Sequence, residues 1–189
     1  MLELLIVAAI MMVIAALAFP TITTTLATIK VRGTMSEISG LVQNCRSLAV
    51  RRSKTKSLRL TTVSGMTVMF TQTCSSAGCT ANIDNRANGE DETLYLPTGF
   101  TAAAKTEAPT TLDPATIWGN SSTPDDSDIA FNPRGLPCDL DTLPCGAPRG
   151  FIKYFKYAPA GRIYWIALTV SPAGRVKNYY WNSSNTWGD

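Results

Sequence analysis

The chain opens with an apolar run, Leu4 to Phe19, that holds no charge and no strongly polar residue; one carboxylate, Glu3, precedes it and Pro20 closes it. A helix of about 20 residues is roughly 30 Å long, the thickness of bilayer hydrocarbon, so the run predicts a helix that can sit in a membrane. Beyond Pro20 the pattern changes. Val31, Met35, Ile38, Val42, Cys45 and Ala49 recur at spacings of four and three, with Leu41 and Leu48 alongside, which predicts an amphipathic second half whose stripe packs on a globular head. Pro20 removes one helical hydrogen bond, and Thr21, Thr23, Thr24 and Thr25 are weak helix formers, so a kink or local melting is expected at the junction, with Gly33 a second weak point.

After the helix the period becomes that of strands. SLRLTTVSGMTVMF reads as a hairpin about Ser64-Gly65, and FIKYFKY, RIYWIALTV and RVKNYYW read as an antiparallel meander split by the turn clusters Ala158-Pro159-Ala160-Gly161 and Ser171-Pro172-Ala173-Gly174. Residues about 73–150 are rich in Thr, Ser, Asp, Pro and Gly, with short apolar islands at Leu94-Tyr95-Leu96 and Ile129-Ala130-Phe131. They read as a variable, surface-facing loop region. The expected fold is therefore α+β: a long N-terminal helix, apolar then amphipathic, packed on a β-rich head with antiparallel strands. The expected division is a helix over 1–52 and one head domain over 53–189.

Composition narrows the chemistry. Charged residues are 16% of the 189 and the net charge is +3, too little to argue a polyanion partner from balance alone. The chain has no histidine, and it shows no GxSxG elbow, P-loop or glycine fingerprint after a strand, so an enzyme is not expected. No cofactor is expected either. Five cysteines are present. Cys74 and Cys79 bracket one short loop and Cys138 and Cys145 another, so two local disulfides are the simplest of three pairings. Zinc is the competing reading, without a histidine and without CxxC spacing. Cys45 lies on the helix stripe and reads as a small apolar residue. Paired cysteines imply an oxidising compartment. Asp125, Asp126 and Asp128 cluster without the spacing or glycine of an EF-hand loop, and Asn120 and Asn182 head formal glycosylation sequons.

A secretory signal peptide needs a basic leading region, whereas the leading charge here is acidic. The string LELLIVAAI, with Glu3 ahead of an unbroken apolar helix and Pro20 seventeen residues after the acid, resembles the mature N-terminus of type IV pilins and type II secretion pseudopilins. In that family a prepilin peptidase cuts a basic leader after a glycine, the new N-terminus is methylated, and a glutamate stands as the fifth mature residue. Glu3 and Pro20 match if two residues are lost before Met1. The resemblance implies a non-enzymatic subunit stored in the inner membrane and then assembled, through its N-terminal helix, with copies of itself and other pilins into an extracellular or periplasmic filament. It also implies a role for Glu3: attracting the N-terminal amine of a neighbouring subunit so that two costly charges neutralise each other in an apolar medium.

Cys45-Arg46-Ser47-Leu48-Ala49-Val50-Arg51-Arg52-Ser53 resembles the end of the long helix in GspH/FimT-type pseudopilins. Phe131-Asn132-Pro133-Arg134-Gly135 and Ser171-Pro172-Ala173-Gly174-Arg175-Val176-Lys177 resemble two later glycine motifs of that family. In some FimT-like competence pilins a C-terminal Gly-Arg-x-Arg motif binds DNA; the matching positions are Gly174, Arg175, Val176 and Lys177, with Lys replacing the second Arg. Arg175 and Lys177 project to one face of a strand. Lys153 and Arg162 are candidate additional charges, and Tyr179, Tyr180 and Trp181 candidate base-stacking rings if they face solvent. The alternative is a hairpin turn with solvated basic residues and core aromatics. A second basic group, Arg46, Arg51, Arg52, Lys54, Lys56 and Arg59, reads as cations complementing the helix C-terminus; the alternative is packing against acidic surfaces of neighbouring subunits, with Asp84, Glu90, Asp91, Glu92, Asp125, Asp126 and Asp128 as candidate counterparts. Main pilin, minor pilin, secretion pseudopilin and DNA-uptake protein all remain open.

Overall fold

The structure, a computed structural model, describes residues 2–74, 92–118, 128–139, 145, 148–159, 162–182 and 184–188, with the backbone alone for 2, 4, 5 and 15–21. It is α+β, with a long N-terminal helix and two antiparallel sheets. In chain order the elements are α1 (Leu2–Arg52), β1 (Lys56–Val63), β2 (Met66–Thr73), β3 (Thr93–Tyr95), β4 (Phe100–Ala103), a 3-10 turn (Lys105–Glu107), α2 (Pro114–Trp118), β5 (Ile129–Phe131), β6 (Phe151–Tyr157), β7 (Tyr164–Val170), β8 (Val176–Trp181) and β9 (Trp187–Gly188). The chain divides into two compact units, Met1–Gly33 and Thr34–Asp189, so the second part of α1 belongs to the same unit as both sheets.

That part of α1 buries Met35, Ile38, Leu41, Val42, Cys45 and Ala49. Ser39 reaches across to β8, where its hydroxyl accepts a hydrogen bond from the Asn178 side-chain amide at 2.9 Å. The helix ends in a Schellman motif. Ser53 takes a left-handed φ of 51°, the Lys54 N–H bonds the Ala49 carbonyl and the Ser53 N–H the Val50 carbonyl, both at 3.2 Å. Arg51 and Arg52 fill the last turn, where cations complement the carbonyl end of the helix.

The first sheet has the order β3-β2-β1-β5. Its central hairpin turns at Ser64 and Gly65, both with positive φ (50° and 79°), as a two-residue turn matched to strand twist requires. The two apolar islands of the expected loop region are its edge strands: Leu94 pairs with Met69, and Ile129 with Leu58. Three residues are too few to show a strand period, so pairing with the hairpin decides their conformation. The region about 73–150 is accordingly not all surface, since Leu96, Phe100, Leu112, Ile129, Ala130 and Phe131 are buried.

The second sheet has the order β4-β6-β7-β8-β9 and contains the expected meander. Cross-strand register sorts its faces. Lys153, Leu168 and Asn178 lie in one row, and through Asn178 that face meets α1. Ile152, Thr169 and Lys177 lie on the opposite face, where Leu112, Ile152, Tyr154, Ala167 and Tyr179 form a cluster covered by Trp118 and Trp187. The Tyr154 hydroxyl accepts the Leu112 N–H at 2.9 Å. Burial pushes the Tyr154 phenol up, and that hydrogen bond opposes the shift.

Candidate functional site

Three tight turns in the head share one hydrogen-bond pattern. In Asn132–Leu136 the first N–H bonds the fifth carbonyl (2.9 Å), the fourth N–H bonds the first carbonyl (2.8 Å), and the first side chain, through Oδ1, accepts the fifth N–H (3.0 Å). In Ser171–Arg175 the same three bonds measure 2.9, 2.7 and 3.1 Å. In Asn182–Thr186 they measure 3.0, 3.2 and 3.1 Å. The fourth residue has positive φ each time: Gly135 at 75°, Gly174 at 81° and Asn185 at 56°. Each is a three-residue connection closed between its first and fifth residues, with its last connecting residue in the left-handed region.

Two of these turns converge on one side chain. Arg46 of α1 donates from Nη1 to the Gly174 carbonyl at 3.0 Å. A Cβ on Gly174 would lie 2.9 Å from the Arg46 Cζ, and one on Gly135 would lie 2.9 Å from Val50 Cγ2 and 3.4 Å from Arg46 Nε. The guanidinium thus lies against both glycine turns, and three segments far apart in sequence, at 45–53, 131–135 and 171–177, meet there. Arg46 does not serve the helix terminus as expected. Its five donors and planar group suit a carbonyl and a glycine backbone approached at contact distance.

Other members of that basic group also have specific places. Lys56 is buried, with Nζ 2.5 Å from the Thr73 hydroxyl. Arg59 pairs with Asp128 at 2.6 Å. Among the acids, Glu92 receives the Asn44 side-chain amide; Asp84, Glu90, Asp91, Asp125 and Asp126 lie outside the described residues. Lys156 pairs with Glu107 at 2.5 Å and, through its hydrogen bond and charge, holds that exposed carboxyl below its ordinary range.

The candidate DNA-binding residues do not form one cluster. Arg175 and Lys177 are both exposed, on the same face of β8 and its approach. Lys153 is on the opposite face, and Arg162 precedes the far end of β7, seven residues and roughly 20 Å along the strand from Thr169 beside Lys177. Tyr179 is buried and sits under Lys177, whose Nζ is 4.8 Å from the ring centre. Trp181 packs edge-on against Trp187 at 5.3 Å. Tyr179 and, through Trp187, Trp181 therefore serve the cluster over the sheet, while Tyr180 lies on the opposite face; Tyr179 is not a solvent-facing ring. Arg134 is a further exposed arginine in the Gly135 turn, beside the same Arg46.

Cys138 and Cys145 form a disulfide with Cα atoms 5.4 Å apart. Cys74 is also disulfide-bonded and packs near Cys138 around Ala130, while Cys79 lies outside the described residues. Cys45 is a buried thiol. Asn182 uses Oδ1 to hold its own turn, accepting from Ser184, Thr186 and the Thr186 hydroxyl; Asn120 lies outside the described residues. Among the described residues no group of three or more cysteine or carboxylate side chains is placed to hold a metal ion.

In the Met1–Gly33 unit, Glu3 is exposed and Pro20 lies within α1. Among the described residues of that unit, ten large apolar side chains are half or more exposed, from Ile6 (51%) through Met12 (74%) to Ile29 (62%). Among the described residues no helix is long and apolar enough to cross a membrane. Comparison with known proteins gives no matching family model, no matching curated protein and no matching solved structure.

Proposed function

We propose that this chain is a non-enzymatic subunit of a type IV pilus or pilus-like filament, assembled through its N-terminal helix. The observation that carries the reading is the exposed apolar surface of residues 6–14 and 22–29. Burying one such side chain fully is worth about 1.5–3 kcal/mol, so ten half-exposed ones leave on the order of 10 kcal/mol unrealised in a lone chain. A partner of the same composition, namely the same helix from other copies and other pilins, satisfies that surface. Glu3, the single carboxylate of the unit, then meets the N-terminal amine of a neighbour inside an apolar bundle. Storage in the inner membrane before assembly and processing by a prepilin peptidase are what the resemblance of LELLIVAAI to pilin N-termini implies, and the uncharged run 4–19 supports the first of these.

The test is quantitative mass spectrometry of filaments sheared from native cells, with electron microscopy of the same sample, for wild type and Glu3→Ala. Incorporation that falls at least tenfold in the variant supports the reading. A wild-type chain absent from every filament fraction sinks it. Abundance separates a main pilin from a minor subunit, and a periplasmic location marks a secretion pseudopilin.

A second reading, a minor FimT-like pilin that binds DNA for uptake, is favoured by the exposure of Arg175 and Lys177 on one face. Phosphate contacts make binding fall steeply with salt. Loss of duplex binding in Arg175→Ala, with salt dependence in wild type, supports it; salt-insensitive or absent binding refutes it.

A further inference from the structure

Two bonds set the direction of α1 along the second sheet. Arg46 meets the Gly174 carbonyl in the turn before β8, and Ser39 meets Asn178 further along that strand. Lower numbers on α1 therefore lie beside higher numbers on β8, and the chain enters the Thr34–Asp189 unit at the end away from the Gly174 turn. From Ser39 back to Thr34 is about 7.5 Å of helix. In the sheet, Asn178 pairs with Leu168, and from Leu168 back to Tyr164, where β7 begins, is about 13 Å of strand. The connection between β6 and β7 lies beyond Tyr164, so it projects past the point where the chain enters.

Composition sets this end apart. The connections at 97–99, 158–163 and 182–186 contain no carboxylate and a single cation, Arg162. Beside it Ile163 is 57% exposed. The Arg162 N–H closes on the Pro159 carbonyl at 3.1 Å. Behind the turn the rings of Tyr157 and Tyr164 pack at 6.3 Å and those of Phe100 and Tyr157 at 6.1 Å, so the tip is held out on an aromatic base. Half-buried Tyr164 and Trp165 follow it. An exposed aliphatic side chain, an arginine and amphipathic rings are what a membrane–water boundary selects, and a tip without carboxylates is not repelled by anionic headgroups.

We propose that the Arg162–Ile163 tip is a membrane-surface contact: Ile163 enters the boundary between headgroups and acyl chains, and Arg162 binds the phosphate of an anionic lipid. The inference rests on the reading of residues 4–19 as a helix stored in the membrane. From Phe19 to Thr34 α1 spans about 22 Å, so the tip is tethered near the bilayer, and a contact too weak to hold a free head becomes populated. It holds the head against the membrane before assembly and is given up when the subunit leaves.

The experiment uses the full ¹⁵N-labelled chain in bicelles, with two paramagnetic lipids, one carrying gadolinium at the headgroup and one a nitroxide deep in the acyl chain. With phosphatidylglycerol present, the headgroup probe is expected to broaden the Ile163 amide resonance at least about threefold more than that of Ala173, an exposed residue of the Gly174 turn. Replacing phosphatidylglycerol by phosphatidylcholine should reduce that excess at least about twofold, through loss of the attraction for Arg162. Arg162→Glu combined with Ile163→Asp, at two exposed turn positions, should remove it and leave the rest of the spectrum unchanged. Equal broadening of Ile163 and Ala173 in anionic bicelles overturns the proposal. The acyl-chain probe then separates the two failures: if it broadens residues 4–19, the membrane reading survives, and if it leaves them sharp, that reading falls as well. An Ile163 shift that follows protein concentration rather than lipid assigns the tip to a second copy and also overturns the proposal.

Discussion

The Gly135 and Gly174 turns and the Asn182–Thr186 turn have the same three hydrogen bonds and the same left-handed fourth residue, yet two carry glycine there and one carries asparagine. Backbone φ alone does not separate them, because asparagine tolerates the left-handed region. Space does. At Gly135 and Gly174 a Cβ would come within 2.9 Å of Val50 or Arg46, whereas Asn185 is exposed. Gly150 completes the comparison from the other side: its φ is not left-handed, but a Cβ would come within 2.4 Å of the Trp118 ring. The molecule thus holds sites where a side chain is opposed by conformation only, by space only, and by both.

The largest effect is expected where both apply and the neighbour is stiff. Gly135→Ala combines left-handed strain, about 1–2 kcal/mol, with overpacking against a β-branched valine, about 1–3 kcal/mol, so a loss of about 2–5 kcal/mol is expected. All four tryptophans lie in the Thr34–Asp189 unit, so a urea titration followed by tryptophan fluorescence measures that unit. A loss under about 1 kcal/mol would show that Val50 yields and that the comparison rests on φ.

Gly174→Ala meets the end of a longer side chain, but that end is fixed by its bond to the Gly174 carbonyl. A loss of about 1.5–3 kcal/mol is expected, together with a favourable coupling to Arg46→Ala, since removing the guanidinium leaves only the backbone strain. Strict additivity in the four-variant cycle would contradict the contact. Gly150→Ala has no backbone strain, and Trp118 can move at the end of a five-residue helix. About 1–2 kcal/mol is expected, reduced when Trp118→Leu is combined with it.

The sequence made the long helix, the Ser64-Gly65 hairpin and the three-strand meander legible, because each rests on a period or turn chemistry contained within about ten residues. The junction of the segments at 45–53, 131–135 and 171–177 was not legible. Each segment is recognisable alone, but the bond from Arg46 to Gly174 joins residues 128 apart, and no local pattern encodes a contact at that range. Position alone made Arg46 look like a cation for the helix terminus. The strands at Thr93–Tyr95 and Ile129–Phe131 were hidden because three residues carry no period. Likewise, exposure could not be read for β8, where Tyr179 faces a cluster supplied by residues 112, 152 and 154. The Asn182 turn had a readable signal, an asparagine at both the first and fourth positions, but it lacks the glycine and proline that mark the other two.

The smallest effect belongs to that turn and isolates the conformational contribution. At Asn185 a side chain meets solvent, so Asn185→Gly removes strain at the cost of a more flexible unfolded chain, two effects of a few tenths of a kcal/mol to about 1 kcal/mol that oppose each other. Stability should stay within about 0.5 kcal/mol of wild type. Asn185→Ala keeps the unfolded chain restricted but loses the side chain that suits left-handed backbone, so about 1 kcal/mol is expected. The same Ala at Gly135 should cost at least twice as much for equal hydrogen bonding, and that difference is the contribution of Val50 and Arg46. Equal losses at 135 and 185 would mean that the glycines are there for φ alone and that Arg46 adapts to whatever turn it meets.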